Sequence, residues 1–314
     1  MNDLFAERRV QPMLIADECD PFDDEGYIYE LKVDGERCVA YLDPEQGTDL
    51  RNKRAIRLLP QVPELSELHR NVTRRCIFDG ELAVITDGKP DFLAIQSRSV
   101  MTNPLKIRLA SERMPACFVA FDILYLDDHP TNLLPLMERK ALLAEVVKRE
   151  DARFAVSRYI EREGKAFYEL VKARELEGVV AKRRESRYYF GKRTKDWRKI
   201  KYLHDEDYVA CGYARREGGM SSIAIGQYRD GQLVYKGRVS LGVGGESFRR
   251  IRQQPIMKAP PFAVPHERDA MVWIEPRLVC VVRYMTKGKS GGLRQAVFKG
   301  LREDKTPEEC VEHI

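Results

Sequence analysis

An α+β fold divided between two domains is what the sequence predicts, on three observations. Strand-like and helix-like segments alternate through residues 1–203, short strands dominate residues 204–314, and the acidic run His204-Asp205-Glu206-Asp207 marks the change of character. At 314 residues and 43% hydrophobic content, each part is long enough and apolar enough to bury a core of its own.

In the first part, Tyr27 to Leu31 and Cys38 to Leu42 read as short strands either side of a charged turn. Further apolar or alternating runs at Cys76 to Ile85 and Cys117 to Leu126 extend the strand count. Helical spacing shows where Leu142 pairs with Val146 and Leu143 with Val147, and again where Phe167, Leu170 and Val171 share a face. A dense basic stretch, Lys182 to Lys201, closes this part. In the second part the strands are Tyr208 to Ala214, Ser222 to Tyr228, Leu233 to Val239, Met271 to Ile274, Leu278 to Met285 and Ala296 to Lys299. Asp230-Gly231 between two of them is a two-residue hairpin signal, because that turn needs positive φ. One helical piece, Glu246 to Gln254, precedes a proline-rich link at Pro255 to Pro265. Such a pattern fits a small Greek-key barrel of the OB type, and an SH3-like barrel or small sandwich would share it.

Lys plus Arg number 54 against 49 Asp plus Glu, a net charge of +5 that suits a phosphate-rich partner without demanding one. The seven cysteines stand singly with no C-x-x-C pair, which argues against a zinc knuckle or a disulfide framework. The start MNDLFAERRV has no apolar signal core and no apolar run approaches a membrane span, so a cytoplasmic protein with no membrane partner is expected.

The sharpest local feature is Glu30-Leu31-Lys32-Val33-Asp34-Gly35-Glu36-Arg37, which contains K-x-D-G-x-R. Read blandly, it is a solvated turn with Gly35 supplying the bend. Read chemically, Lys32 is a nucleophile, although at a reference pKa of about 10.4 only about 0.04% would be neutral at pH 7. Lys182, Arg193, Lys199, Lys201 and a bound metal would supply a positive field to favour the free amine. Arg37 offers a planar fork for a phosphate or carboxylate.

Further motifs follow in order: Gln11-Pro12-Met13-Leu14, Arg51-Asn52, Phe78-Asp79-Gly80-Glu81-Leu82, Asp91-Phe92 and Phe121-Asp122-Ile123-Leu124-Tyr125. Then come Glu177-Gly178-Val179-Val180-Ala181-Lys182, Asp196-Trp197-Arg198-Lys199-Ile200-Lys201 and Phe298-Lys299-Gly300-Leu301-Arg302-Glu303-Asp304-Lys305. Over nearly its whole length the chain resembles the ATP-dependent DNA ligases of the bacterial ligase D type, within the covalent nucleotidyltransferase superfamily. The resemblance implies an adenylation (nucleotidyltransferase) domain of antiparallel sheets and helices at 1–203, and an OB-fold barrel at 204–314.

It also implies roles. Lys32 becomes the adenylated lysine, with Asp34 beside it in the catalytic motif, and Glu30 accepts a hydrogen bond from the adenine amino group next to Leu31. Phe121 stacks on adenine, while Arg37 and Arg51 contact the nucleotide or the DNA near the nick. Glu81 and Glu177 hold the ribose or a divalent metal, for which oxygen ligands favour Mg²⁺ or Mn²⁺. Lys199 and Lys201 alternate about Ile200, so on a strand both face one way and grip the α-phosphate of ATP, assisted by Arg193. Arg302, Asp304 and Lys305 bring charge to the departing pyrophosphate, which requires domain closure.

The implied reaction joins 5′-phosphate and 3′-hydroxyl ends through lysyl-AMP and adenylated DNA, with nicked or broken DNA as substrate. Competing readings are an RNA ligase or capping-type nucleotidyltransferase, and a catalytically silent OB-domain nucleic-acid-binding protein. With no helical clamping domain before the core, DNA binding is expected to be weak and salt-sensitive. A Ku-type end-binding protein, and a separate end-processing polymerase or nuclease, are the expected partners. The strand near Val279 to Arg283 and the loop Leu241 to Gly245 depart from the usual pattern.

Overall fold

The computed structural model describes residues 3–215, 221–264, 271–288 and 292–312. The chain divides into two compact units, Met1–Tyr202 and Leu203–Ile314.

The first unit is built on two sheets. In one, the strands run Leu14–Glu18, Arg193–Lys201, Gly178–Arg183, Tyr27–Leu31, Tyr159–Glu161 from edge to edge. In the other, Gly47–Asn52, Glu36–Asp43, Cys76–Thr86 and Ala116–Leu126 lie side by side and antiparallel, extended by the two-residue strand His129–Pro130. Tyr27–Leu31 alternates faces as strand geometry requires. Tyr27 and Tyr29 pack outward with Val179, Ala181 and Ile200 against Val171 of the helix Gly164–Ala173. Ile28 instead packs inward, joining Val180 and Trp197 of its own sheet to Val39, Tyr41, Ile77 and Tyr125 of the other. The far face of the second sheet buries Cys38, Ala40, Phe78, Leu82 and Phe118 against Ile95, Leu143 and Val146 of the helices Phe92–Ser99 and Leu136–Val146. The order is therefore helix, sheet, sheet, helix, and Glu30, on the inward face of Tyr27–Leu31, finds itself between the sheets.

The second unit is one antiparallel sheet ordered Gln232–Val239, Ser221–Arg229, His204–Arg215, Val272–Tyr284, Val297–Arg302. Its two edges meet in a bridge between Leu241 and Val297, which curls the sheet into the OB-type barrel around Tyr208, Ile223, Val239, Ile274, Cys280 and Phe298. Phe248 and Ile251 of the helix Gly245–Arg252 plug that core. The Asp230-Gly231 turn takes positive φ at both residues, 53° and 75°, as the hairpin required.

One sequence expectation changes. The separate strands expected at Met271 to Ile274 and Leu278 to Met285 are a single strand, Val272–Tyr284, whose register against Ala210 and Gly212 shifts around Glu275-Pro276-Arg277. Proline is tolerated there because the ladder is already interrupted. The link expected at Pro255 to Pro265 runs without regular structure through Val264, and Pro265 lies outside the described residues. Among the described residues no helix is long and apolar enough to cross a membrane.

Candidate active-site cleft

Lys32 leaves the end of the strand Tyr27–Leu31, and its backbone N–H donates to Gly178 O at 2.9 Å. That bond aims the side chain at Glu177, whose Oε1 is 2.7 Å from Lys32 Nζ. Two glycines make the approach possible. A Cβ at Gly35 would come within 2.1 Å of Leu82 O, and one at Gly178, where φ is +146°, within 2.2 Å of Ile200 O. Gly35 thus serves close packing of the loop on the neighbouring strand, beyond the bend expected of it.

Lys32 borders a cleft lined from both sheets of the first unit. Ile15, Leu31, Val33, Phe121, Val180 and Trp197 supply its apolar surface, and Glu30, Arg37, Glu81 and Lys182 its charge. Sheet register explains the gathering. Glu30 pairs with Val180, and Val180 with Lys199, so the three form one row across three strands on the cleft-facing side. Trp197 and Lys182 form a second such row.

Glu30 is 2% exposed, with Oε1 2.5 Å from Lys140 Nζ and Oε2 3.1 Å from Lys182 Nζ. Burial alone would raise its pKa, but the two lysines outweigh burial and hold it below the usual carboxylate range. Burial pushes Lys182 down to about 8, with Lys140 adding to the fall and Glu30 opposing it. Lys182 Nζ also lies 4.4 Å from the ring centre of Phe121 and 4.2 Å from that of Trp197.

Arg37 lines the cleft, but its fork is taken. Nε and Nη2 donate to the two oxygens of fully buried Asp79 at 2.6 and 2.5 Å, and its guanidinium carbon stands 4.6 Å from the Phe121 ring centre. Asp79 accepts from the Tyr188 hydroxyl as well, and that hydroxyl accepts from Met13 N. Glu81 also lines the cleft. Burial pushes its carboxyl up to about 8; Arg37 and Lys32 oppose the rise, while Glu177 and Asp79 reinforce it.

Lys199 and Lys201 do share a face of the strand Arg193–Lys201, and both ammonium groups converge on Glu18, at 3.8 and 3.2 Å. Arg193 stands apart. It begins that strand, six residues or about 20 Å from Lys199, and donates to Ile15 O at 3.2 Å. Arg51 is likewise absent from the cleft lining, being held by Asp49 at 2.7 Å and by Ala55 O at 3.1 Å. Its neighbour Asn52 instead lines an adjoining groove with Lys53, Arg54 and Ile56. Asp34 sits in the loop between Lys32 and the strand Glu36–Asp43.

In the second unit, Arg302 pairs with both oxygens of Asp304 at 2.7 and 2.8 Å and with Asp207 at 2.9 Å, while Lys305 reaches Asp207 at 2.6 Å. The hydrogen bonds from Arg302 draw Asp304 down to about 2. Asp207, Glu18, Asp79, Tyr188 and Lys140 were not singled out from the sequence. Only Asp207 and Asp79 carried a signal, as members of an acidic run and of a motif.

Among the described residues no group of three or more His, Cys, Asp or Glu forms a ready-made metal cage. The donor set nevertheless fits a Mg²⁺-like ion, which needs one or two carboxylates and completes its shell with water and substrate phosphates. Glu81 and Glu177 are the carboxylates that could hold it, with Glu177 near enough to raise the pKa of Glu81.

Residues 10–201 match the family described as "ATP dependent DNA ligase domain", and residues 216–305 that described as "ATP dependent DNA ligase C terminal region". The chain is similar to the multifunctional non-homologous end joining DNA repair protein LigD of Mycobacterium tuberculosis, at 30% identity over 91% of this chain. It spans only 37% of that protein's length. A Bacillus subtilis relative, the SPbeta prophage-derived DNA ligase-like protein LigB, is 28% identical over 93% of this chain and 99% of its own. Among solved structures, the ligase domain of M. tuberculosis LigD matches with a TM-score of 0.56 at 27% identity, covering 98% of this chain and 99% of that one. A mycobacterial DNA ligase D complexed with ATP and MES matches with a TM-score of 0.57, also at 27% identity and with the same coverage of both chains.

Proposed function

The chain belongs to the ATP-dependent DNA ligases, and from that premise we propose that it seals 5′-phosphate/3′-hydroxyl breaks in nicked or broken DNA through an AMP carried on Lys32. The observation that carries the reading is the placement of the Lys32 amine at the border of a cleft that joins an apolar slot to a row of acidic and basic groups. Adenine enters between Phe121 and Val180, with its exocyclic amino group toward Glu30. While Lys32 Nζ is paired with Glu177 it is occupied as a donor, so attack requires the pair to part and the ammonium to lose a proton. The free amine then forms a bond to the α-phosphorus of ATP as the bond to pyrophosphate breaks.

Lys199 and Lys201 offset the charge that builds on the α-phosphate. Glu81 and Glu177 would hold a divalent cation, which supplies charge neutralisation at the phosphates when bound. Arg302 and Lys305, fixed as a unit by Asp207, act on the β- and γ-phosphates when the second unit closes, with Asp304 orienting Arg302. Next, an oxygen of the DNA 5′-phosphate displaces the lysine from AMP. Last, the 3′-hydroxyl attacks the activated 5′-phosphate and AMP departs. Arg37, tied to Asp79, braces the Phe121 ring.

The likeness to LigD supports end joining in the cytoplasm, at the nucleoid, as the setting. A Ku-type end-binding protein and a separate polymerase or nuclease are the proposed partners; ligation that is indifferent to Ku over a range of salt would remove that part. The reaction itself is tested with α-labelled ATP. The protein should become labelled and Lys32→Ala should not, and nicked DNA should be sealed in preference to nicked RNA. Labelling from GTP alone, or none, would overturn the assignment.

A further inference from the structure

Glu30 has more positive charge against it than its own neutralisation needs. Lys182 alone would balance it, yet Lys140 is buried to 6% exposure on the opposite oxygen, and placing a second ammonium there costs desolvation that one ion pair does not repay. The two lysines approach from different places. Lys182 lines the cleft, whereas Lys140 projects from the helix Leu136–Val146 and does not. Ser157 lies beside the same carboxylate and helps to hold its charge. A carboxylate has about four acceptor sites, so these three partners leave capacity for a ligand in the cleft that Glu30 lines.

We infer that Lys140 is a positioning residue for nucleotide selection: anchoring Oε1 from outside the cleft, it keeps the Glu30 carboxylate turned toward the exocyclic amino group of bound adenine rather than collapsed onto Lys182. The inference rests on the reading of Glu30 as acceptor for that amino group. Helix Leu136–Val146 is firmly seated, since Arg139, one residue earlier, is fully buried and pairs with both oxygens of Asp122 next to Phe121. The anchor and the stacking ring are therefore held by one helix turn.

The experiment compares self-adenylation of the full chain by ATP and by purine riboside triphosphate, which lacks only the exocyclic amino group, in single turnovers over a range of nucleotide concentration. A hydrogen bond to a charged acceptor sets a preference for ATP of about ten- to one-hundred-fold in the wild type. Lys140→Met should shrink that preference by about tenfold, through the apparent nucleotide affinity rather than the maximal rate, and Lys140→Arg should restore most of it. A merely structural lysine would weaken both nucleotides alike, so an unchanged preference in Lys140→Met overturns the inference. Should that variant fail to fold, Lys140→Gln carries the same comparison. Glu30→Gln separates the two claims. If it leaves the preference intact, the reading of Glu30 fails; if it abolishes the preference while the Lys140 variants keep it, only the role of Lys140 fails.

Discussion

Neutralising Asp79 should unseat one wall of the cleft. Asp79 has no exposed surface, accepts two hydrogen bonds from Arg37 at 2.6 and 2.5 Å, and takes a third from Tyr188, which in turn secures Met13 N at 2.9 Å. Asp79→Asn keeps the shape and removes the charge, so one amide NH₂ must face donors that previously met an oxygen. Breaking a buried ion pair on one side costs about 3–5 kcal/mol. The Arg37 side chain is 19% exposed, so water recovers part of this and a loss of about 2–4 kcal/mol remains. For a unit the size of Met1–Tyr202, each kcal/mol lowers Tm by about 2–4 °C, which gives a fall of about 4–16 °C in its calorimetric transition. Tyr188→Phe, which removes a single hydroxyl, should cost about half as much. An Asp79→Asn protein melting within about 2 °C of the wild type, or no lower than Tyr188→Phe, would refute the argument that this carboxylate holds Arg37 and the Gln11-Pro12-Met13 segment in place.

Other outcomes follow from the same geometry. Arg193→Ala should leave self-adenylation within about twofold of wild type, because that side chain sits at the wrong end of its strand, whereas Lys199→Ala should slow it about a hundredfold. Arg302→Ala should impair labelling by ATP about a hundredfold yet leave sealing of a pre-adenylated nick within about threefold; equal losses in both assays would refute a role confined to the first step. The second unit should lose stability in acid through Glu206. Burial raises its pKa, but hydrogen bonds from Lys287, Gln227, Tyr284 and Tyr208 outweigh burial and bring it to about 2. A depressed carboxylate contributes fully above its unfolded value of 4.5, so, allowing for solvent screening, roughly 1–2 kcal/mol should fade between pH 4.5 and 2. In Glu206→Gln, acid titration followed by circular dichroism should lack that component.

Much of the fold was legible because the signals were local. The strand Tyr27–Leu31 and the Asp230-Gly231 hairpin lie where alternation and turn chemistry placed them, since both depend only on neighbouring residues. The strand Val272–Tyr284 was misread as two because Glu275-Pro276-Arg277 looks like a break in isolation; its partner strand absorbs the irregularity by shifting register. The strand Leu14–Glu18 went unread, and with it Glu18, the carboxylate on which Lys199 and Lys201 converge. Lys140 gave no signal either, because a lysine in a helix is ordinarily solvated.

The order of its residues alone determined which reactive groups the protein carries and which family it resembles. Lys32 within K-x-D-G-x-R, the paired acidic motifs and the alternating lysines are short-range patterns, and a nucleophile or a phosphate ligand is named by its side chain. What only tertiary structure decided is which charges are free to act. Sheet register set Glu30, Val180 and Lys199 in one row and carried Arg193 away from it, while the burial of Asp79, Lys140 and Lys182 fixed their partners. The physical reason is that a charge taken out of water must be matched by another within a few ångströms, and those matches join residues as far apart in the chain as Arg37 and Asp79 or Glu30 and Lys182.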